Sequence, residues 1–297
     1  MAPNGRHEGL AISYLQQIRE AVGNLNPRDV RESAERRLAI GVHAPNVFPL
    51  LEDFLAPANV SRGKRWELVE FLHRAGDPGA PEEFDLAICE EGEECPPDGF
   101  VFSPARPDDL VGQILERRED LGLALARAFP PFRKPVVEKV IQNIATENAL
   151  FALVTALPDV VPSMIEIPWA VGQFASDSVY LTINQIRMAF LLAAASDRPV
   201  GYREQKREIA SIITAAFGWR ALARALVGKI PFGGGLIPKA AIAFAGTWMA
   251  GASLERIYRS GYGSSRAERR LTYSQAYQRG KVVAGAMVRV LKPPQAG

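Results

Sequence analysis

Residues 230–254, "IPFGGGLIPKAAIAFAGTWMAGASL", carry one charge, Lys239, and set Gly233, Gly234 and Gly235 in a row. A stretch this apolar has to be covered, because exposing it to water forfeits roughly 25 cal/mol for each Å² of apolar surface. Three folds suit it: a membrane hairpin, a helix packed inside a helical domain, or a glycine loop around a phosphate. The phosphate loop fails on order. In a P-loop the lysine follows the glycines, whereas Lys229 precedes them here, and Pro231 removes an amide donor. A membrane span is limited by length. About 20 apolar residues are needed, and Ala240 to Leu254 supplies fifteen before Glu255. What remains is a glycine-proline turn followed by a small-residue helix. In that helix Gly246 with Ala250, and Ala241 with Ala245, permit close approach of a neighbour. A shallow or re-entrant hairpin about "PFGGGLIP" and a soluble helical packing both stay open.

The rest of the chain divides near Arg106. Before it, "RRLAIGV" (36–42), "EFDLAICEE" (83–91) and "GFVFS" (99–103) read as short strands. Helices are expected over 8–23, over "APNVFPLLEDFL" and over "KRWELVEFLHRAG" (64–76). Beyond Arg106 only helical patterns occur. Asp108 and Asp109 sit at a helix start, Pro130, Pro131 and Pro135 interrupt the pattern, and Ser265 with Glu268 has capping-box spacing. The expected fold is therefore α+β and mostly α: an N-terminal helix (1–35), a small α/β domain (36–106) and a helical domain (107–297) with an apolar hairpin.

Composition narrows the function. The 35 basic and 33 acidic residues nearly cancel, so no global basic field draws the chain to nucleic acid. The N-terminus lacks the charged and apolar regions of a secretory signal, and a cytoplasmic location is expected. Cys89 and Cys95 flank "EEGEE" and are expected as two reduced thiols, too few for a four-thiolate zinc site. His7, His43 and His73 are scattered, and no catalytic triad, metal motif or cofactor fingerprint is present.

Polar residues inside apolar helices are the remaining candidates. Asn184, Gln185 and Arg187 interrupt "SVYLTINQIRMAFLLAAAS". If buried they need partners, and Asp177, Glu166 and Glu147 are the carboxylates on offer to Arg187. The group is either a structural network in the core or a small-molecule or lipid-headgroup site. Arg220, Arg224 and Lys229 form a basic face beside Ala221, Leu222, Ala225 and Leu226. With Gly233, Gly234, Gly235 and Lys239 they mark a candidate membrane or partner surface.

The run "NALFALVTALPDVVPS…LTINQIRMAFLLAAA…AFGWRALARALVGKIPFGGGLIPKAAIAFAGT" resembles the bacterial DUF697 family, over roughly residues 140–262. Its most specific parts are "GWRALAR" and the glycine-proline stretch after it. The resemblance implies a helical module near a membrane and linked to GTPases, and supplies no catalytic residues. It prompts a test of the α/β domain against a P-loop. With Gly41 as the first glycine, Asn46, Val47 and Phe48 stand where glycine, lysine and hydroxyl are required. Aligning "PNV" instead puts Phe48, Pro49 and Leu50 there. The lysine and the Mg²⁺ hydroxyl are missing either way, and no Asn-Lys-x-Asp motif occurs. Asp85 is a weak candidate for the metal-binding aspartate of a GTPase strand. The domain is thus read as a degenerate GTPase-like fold or an unrelated α/β unit. The expected function is a non-catalytic, membrane-proximal adaptor or scaffold, working with a GTPase or another partner. The alternatives are a soluble enzyme or ligand-binding protein with a polar pocket in the helical domain, and an atypical nucleotide binder.

Overall fold

A computed structural model of the chain describes residues 16–18, 20–23, 25–74, 76–156, 177–227 and 235–291. It divides into two compact units: Arg28–Glu138 with Ala193–Val200, and Met1–Pro27 with Lys139–Leu192 and Gly201–Gly297. The first carries a four-stranded parallel sheet and the second is helical.

In the sheet unit, α1 (Pro27–Ala34) leads to β1 (Ile40–His43), α2 (Phe48–Leu55), α3 (Arg62–Val69), β2 (Leu72–Arg74), β3 (Leu86–Glu90), β4 (Phe100–Phe102) and α4 (Pro107–Arg117). Strand order is β2-β1-β3-β4, with every pair parallel. This is the first part of the doubly wound order 2-1-3-4-5. Ile40, Val42, Leu86, Ile88, Phe100 and Phe102 alternate along their strands, fall on one face of the sheet in register, and are all buried. The helix expected over 64–76 ends early. Its last third forms β2, because Leu72 pairs with Ile40 in register and completes the sheet edge. Gly41 belongs to β1, not to a phosphate loop: a Cβ there would stand 2.6 Å from the Phe84 ring.

Two further expectations need correcting. Cys89 and Cys95 are joined in a disulfide rather than held as free thiols. Cys89 is wholly buried at the end of β3, and a side chain on Gly99 would run into the Cys95 sulfur, so that glycine makes room for the bridge. Of the prolines at 130–135, only Pro135 does not interrupt the helical pattern; Pro130 and Pro131 follow a break at Phe129. After α5 (Gly122–Ala128), they open α6 (Pro130–Val154), which runs through Pro135. Pro130 and Pro131 occupy first-turn positions, where the missing N–H has no intrahelical acceptor to lose.

The turn after residue 195 is fastened into the sheet unit by one carboxylate. Asp197 has φ 55°, the left-handed region that Asp tolerates. It faces Lys64 at 3.4 Å, Arg133 at 3.7 Å and Arg127 at 3.9 Å.

The bundle unit contains the rest of α6, α7 (Asp177–Ala195), α8 (Lys206–Val227), α9 (Leu236–Ser260) and α10 (Arg266–Leu291). Phe151 stacks on Tyr180 with centroids 3.9 Å apart, and a Cβ on Gly251 would meet Ile141 at 2.7 Å and Met188 at 3.0 Å. These pairings make α6 antiparallel to both α7 and α9. The apolar segment that opened the sequence analysis forms most of α9. Ala240, Ala241, Ile242, Phe244, Ala245, Gly246, Thr247, Gly251 and Leu254 are buried in protein. Gly280 of α10 lies so close that its Cβ would stand 3.0 Å from the Ala241 carbonyl. The small residues therefore serve helix packing. Gly261 ends α9 at φ 77°. The capping box starts α10: the Glu268 N–H donates to Ser265 Oγ at 3.2 Å, and the Ser265 N–H to Glu268 Oε2 at 2.8 Å. That amide, with Arg256 and the Ser265 hydroxyl, pushes the Glu268 carboxyl down to about 2.

Asp197→Ala should lower stability by about 1–3 kcal/mol, through backbone strain and three partly exposed ion pairs. Asp197→Asn keeps the left-handed tolerance and should lose less. Urea melts of the two variants check this order, and equal losses would assign the whole effect to charge.

Candidate functional site

The polar residues read from α7 converge with residues of α6 and α9 in the middle of the bundle unit. Asn148 on α6 and Thr247 on α9 are wholly buried, and Asn184 on α7 is 2% exposed. Asn148 Nδ2 donates to Thr247 Oγ1 at 2.8 Å, and Asn148 Oδ1 accepts from Asn184 Nδ2 at 2.9 Å. Gln185 Nε2 also reaches Thr247 Oγ1, at 3.3 Å. One amide thus joins three helices, with both its oxygen and its nitrogen engaged.

Arg187 pairs with Glu147, one of its three candidate partners: its Nη1 donates to Glu147 Oε2 at 3.3 Å. Asp177 begins the same helix more than two turns away, and Glu166 lies outside the described residues. The pair is half-buried, with side chains 33% and 30% exposed. Burial pushes the Glu147 carboxyl above its ordinary value, against the pull of the Arg187 guanidinium. Burial also pushes the Tyr180 phenol up. The placement follows from the sequence: 147 and 148 are polar positions in an apolar stretch of α6, and 184 and 187 share one face of α7.

Of the candidate surface residues, the ones described in full are Lys239 and Gly235. Lys239 lies in the first turn of α9, where its Nζ donates to Thr155 Oγ1 at 3.4 Å, and Gly235 is the residue before α9. Arg220 and Arg224 fall on α8, with side chains outside the described residues, and Lys229, Gly233 and Gly234 lie outside them altogether.

In the sheet unit the place for a ligand in a doubly wound fold is the carboxyl end of β1 and β3, where the strand order reverses. There the Asn46 N–H, which a phosphate loop would offer to its anion, donates to Glu90 Oε2 at 3.1 Å. His43 ends β1 beside Cys89 in register. Asp85 lies at the opposite edge. It precedes β3, accepts from the Ala39 N–H at 2.9 Å and pairs with Arg36, so it ties the sheet's entry rather than a metal. Among the described residues no cluster of His, Cys, Asp and Glu could hold a metal ion.

Comparison with family models, with curated proteins and with solved structures gives no match for this chain.

Sequence reasoning missed Asn148 and Thr247. Both were findable as single polar residues on the small-residue faces of α6 and α9, since a lone buried amide demands a partner on the facing helix.

Asn148→Ala should cost about 2–4 kcal/mol, from a cavity and the loss of two buried hydrogen bonds, to Asn184 and Thr247, with Thr247 left only Gln185; a loss below about 1 kcal/mol in a denaturant melt would contradict the network. Arg187→Gln should cost about 1–2 kcal/mol at neutral pH, discounted for exposure. It leaves burial alone acting on Glu147, so the folded chain holds that proton more tightly than the unfolded chain. Its stability then falls as pH rises through the Glu147 range. The gap between variant and wild type should widen from about pH 4 to about pH 7, and parallel curves would refute the assignment.

Proposed function

We propose that the chain is a non-catalytic adaptor or scaffold working at a membrane surface, related to the DUF697 family and serving a GTPase or another protein partner. The observation that carries this reading is that the polar groups at the centre of the bundle and at the end of β1 are engaged within the fold. The Asn148 amide is fully occupied by α7 and α9, Glu147 is paired with Arg187, and Glu90 occupies the amide that follows β1. At these two places, among the described residues, the donors and acceptors that would converge on a substrate are already taken. These contacts also disfavour a ligand pocket around Asn184 and Arg187. A nucleotide phosphate arriving at β1 would have to displace a carboxylate and approach the acidic run 90–94, "EEGEE". This supports a degenerate rather than an active GTPase-like unit.

Membrane contact, on this reading, is peripheral. Among the described residues one helix, over Ser178–Ala195, has the length and hydropathy of a span, but 72% of it is buried in protein. Residues of α9 from Ala240 to Leu254 are packed in the same way. A disulfide such as Cys89–Cys95 belongs more often to oxidising compartments. The proposal therefore names the bilayer and not its side.

Two measurements test it. In flotation through a density gradient the protein should rise with vesicles containing anionic lipid, and complete recovery at the bottom would remove the membrane from the account. In a thermal-shift assay neither GTP nor ATP at millimolar concentration should move the midpoint. A nucleotide-dependent rise would reinstate a binding site at β1.

A further inference from the structure

The charge of this chain is segregated onto its last helix. Between Arg266 and Leu291, α10 bears Arg266, Arg269, Arg270, Arg279, Lys281 and Arg289 against one carboxylate, Glu268, for a net +5. The whole chain carries +2, so the remaining residues sum to −3. All six cations are exposed, and Glu268 is turned to Arg256 at 2.7 Å and to the helix cap. Among the described residues none of the six faces a carboxylate. At about 100° per residue Arg266 and Arg269 share the azimuth of the buried Ala284, Ala276 and Gly280, whereas Arg270, Arg279, Lys281 and Arg289 spread over the opposite half of the helix, about 29 Å long at 1.5 Å per residue.

Apolar side chains project between them. Leu271 is 61% exposed, Val282 72% and Val290 82%. The inner face of the helix, Ala276, Gly280 and Ala284, is buried. We infer that the outer face of α10 is a docking strip for an anionic lipid surface, with Arg270, Arg279, Lys281 and Arg289 meeting headgroups and the exposed Leu and Val entering the interface. Charge complementarity favours an anionic partner, and the protruding aliphatic groups favour a bilayer over a phosphate backbone. The aromatic rings point the same way. A single-stranded nucleic acid stacks its bases on open rings, but Arg279 lies 4.8 Å over Trp248 and Lys281 lies 5.5 Å over Tyr277.

This inference rests on the membrane reading given above and assigns its surface and lipid class. The test is co-sedimentation of the full chain with phosphatidylcholine vesicles, with and without phosphatidylglycerol. Binding should require phosphatidylglycerol and weaken as salt is added. The triple variant R270Q/R279Q/K281Q removes three exposed cations and should bind roughly 100-fold more weakly, about fivefold for each. The charge-matched control R203Q/K206Q/R207Q alters exposed residues near the start of α8 and should stay within roughly threefold of wild type. Equal weakening in both variants would overturn the α10 assignment and leave the membrane reading standing. Absence of binding to every vesicle would overturn both. Displacement from vesicles by a single-stranded oligonucleotide that binds α10 more tightly would overturn the lipid assignment.

Discussion

The side-chain amide of Asn148 is the interaction on which the bundle depends. Small residues line the helices around it: Ala145 and Ala149 on α6, Ala240, Ala241 and Ala245 on α9. Faces built from alanine and glycine let helices approach closely, but they repeat every turn and discriminate poorly between registers. A slip of one turn would exchange one alanine for another at little cost. It would also strand a buried amide and a buried hydroxyl, at about 1–3 kcal/mol each. The network of Asn148, Asn184 and Thr247 therefore fixes which turn of α6 faces which turn of α7 and α9. A polar group in this role specifies one arrangement more than it adds stability.

Similar economy marks the sheet unit. Its conspicuous charged residues hold loops: Asp85 ties Ala39 and Arg36, Glu90 ties Asn46, and Asp197 gathers Lys64, Arg127 and Arg133. The disulfide at the end of β3 clips the acidic loop that follows, with Gly99 making room for it. Groups engaged in this way are poor candidates for chemistry. Among the described residues positive charge is concentrated on α10, whose net +5 stands against −3 for the rest of the chain.

Local signals were the legible ones. The capping box at Ser265 and the acidic first turn of α4 are each specified within four residues, and each appears where the sequence placed it. The α+β division was also legible, because strand patterning stops near Arg106. Long-range requirements were not. Leu72–Arg74 reads as the tail of a helix until β1 is there to pair with it. The cysteine pair reads as two thiols until the turn between them brings the sulfurs together. Arg187 had three candidate partners in sequence, and only antiparallel packing of α6 on α7 selects Glu147. Asn148 drew no attention because its importance lies entirely in residues 36 and 99 positions away.

Hydrogen exchange of the side-chain amides, followed by NMR, tests the central claim that the bundle's polar centre is a closed structural lock. The account predicts that the Nδ2 protons of Asn148 and Asn184 exchange only through global unfolding, with protection equal to that of the most stable backbone amides of α6. Exchange at the rate of an exposed asparagine would contradict it, because the centre would then be open to water and to ligands.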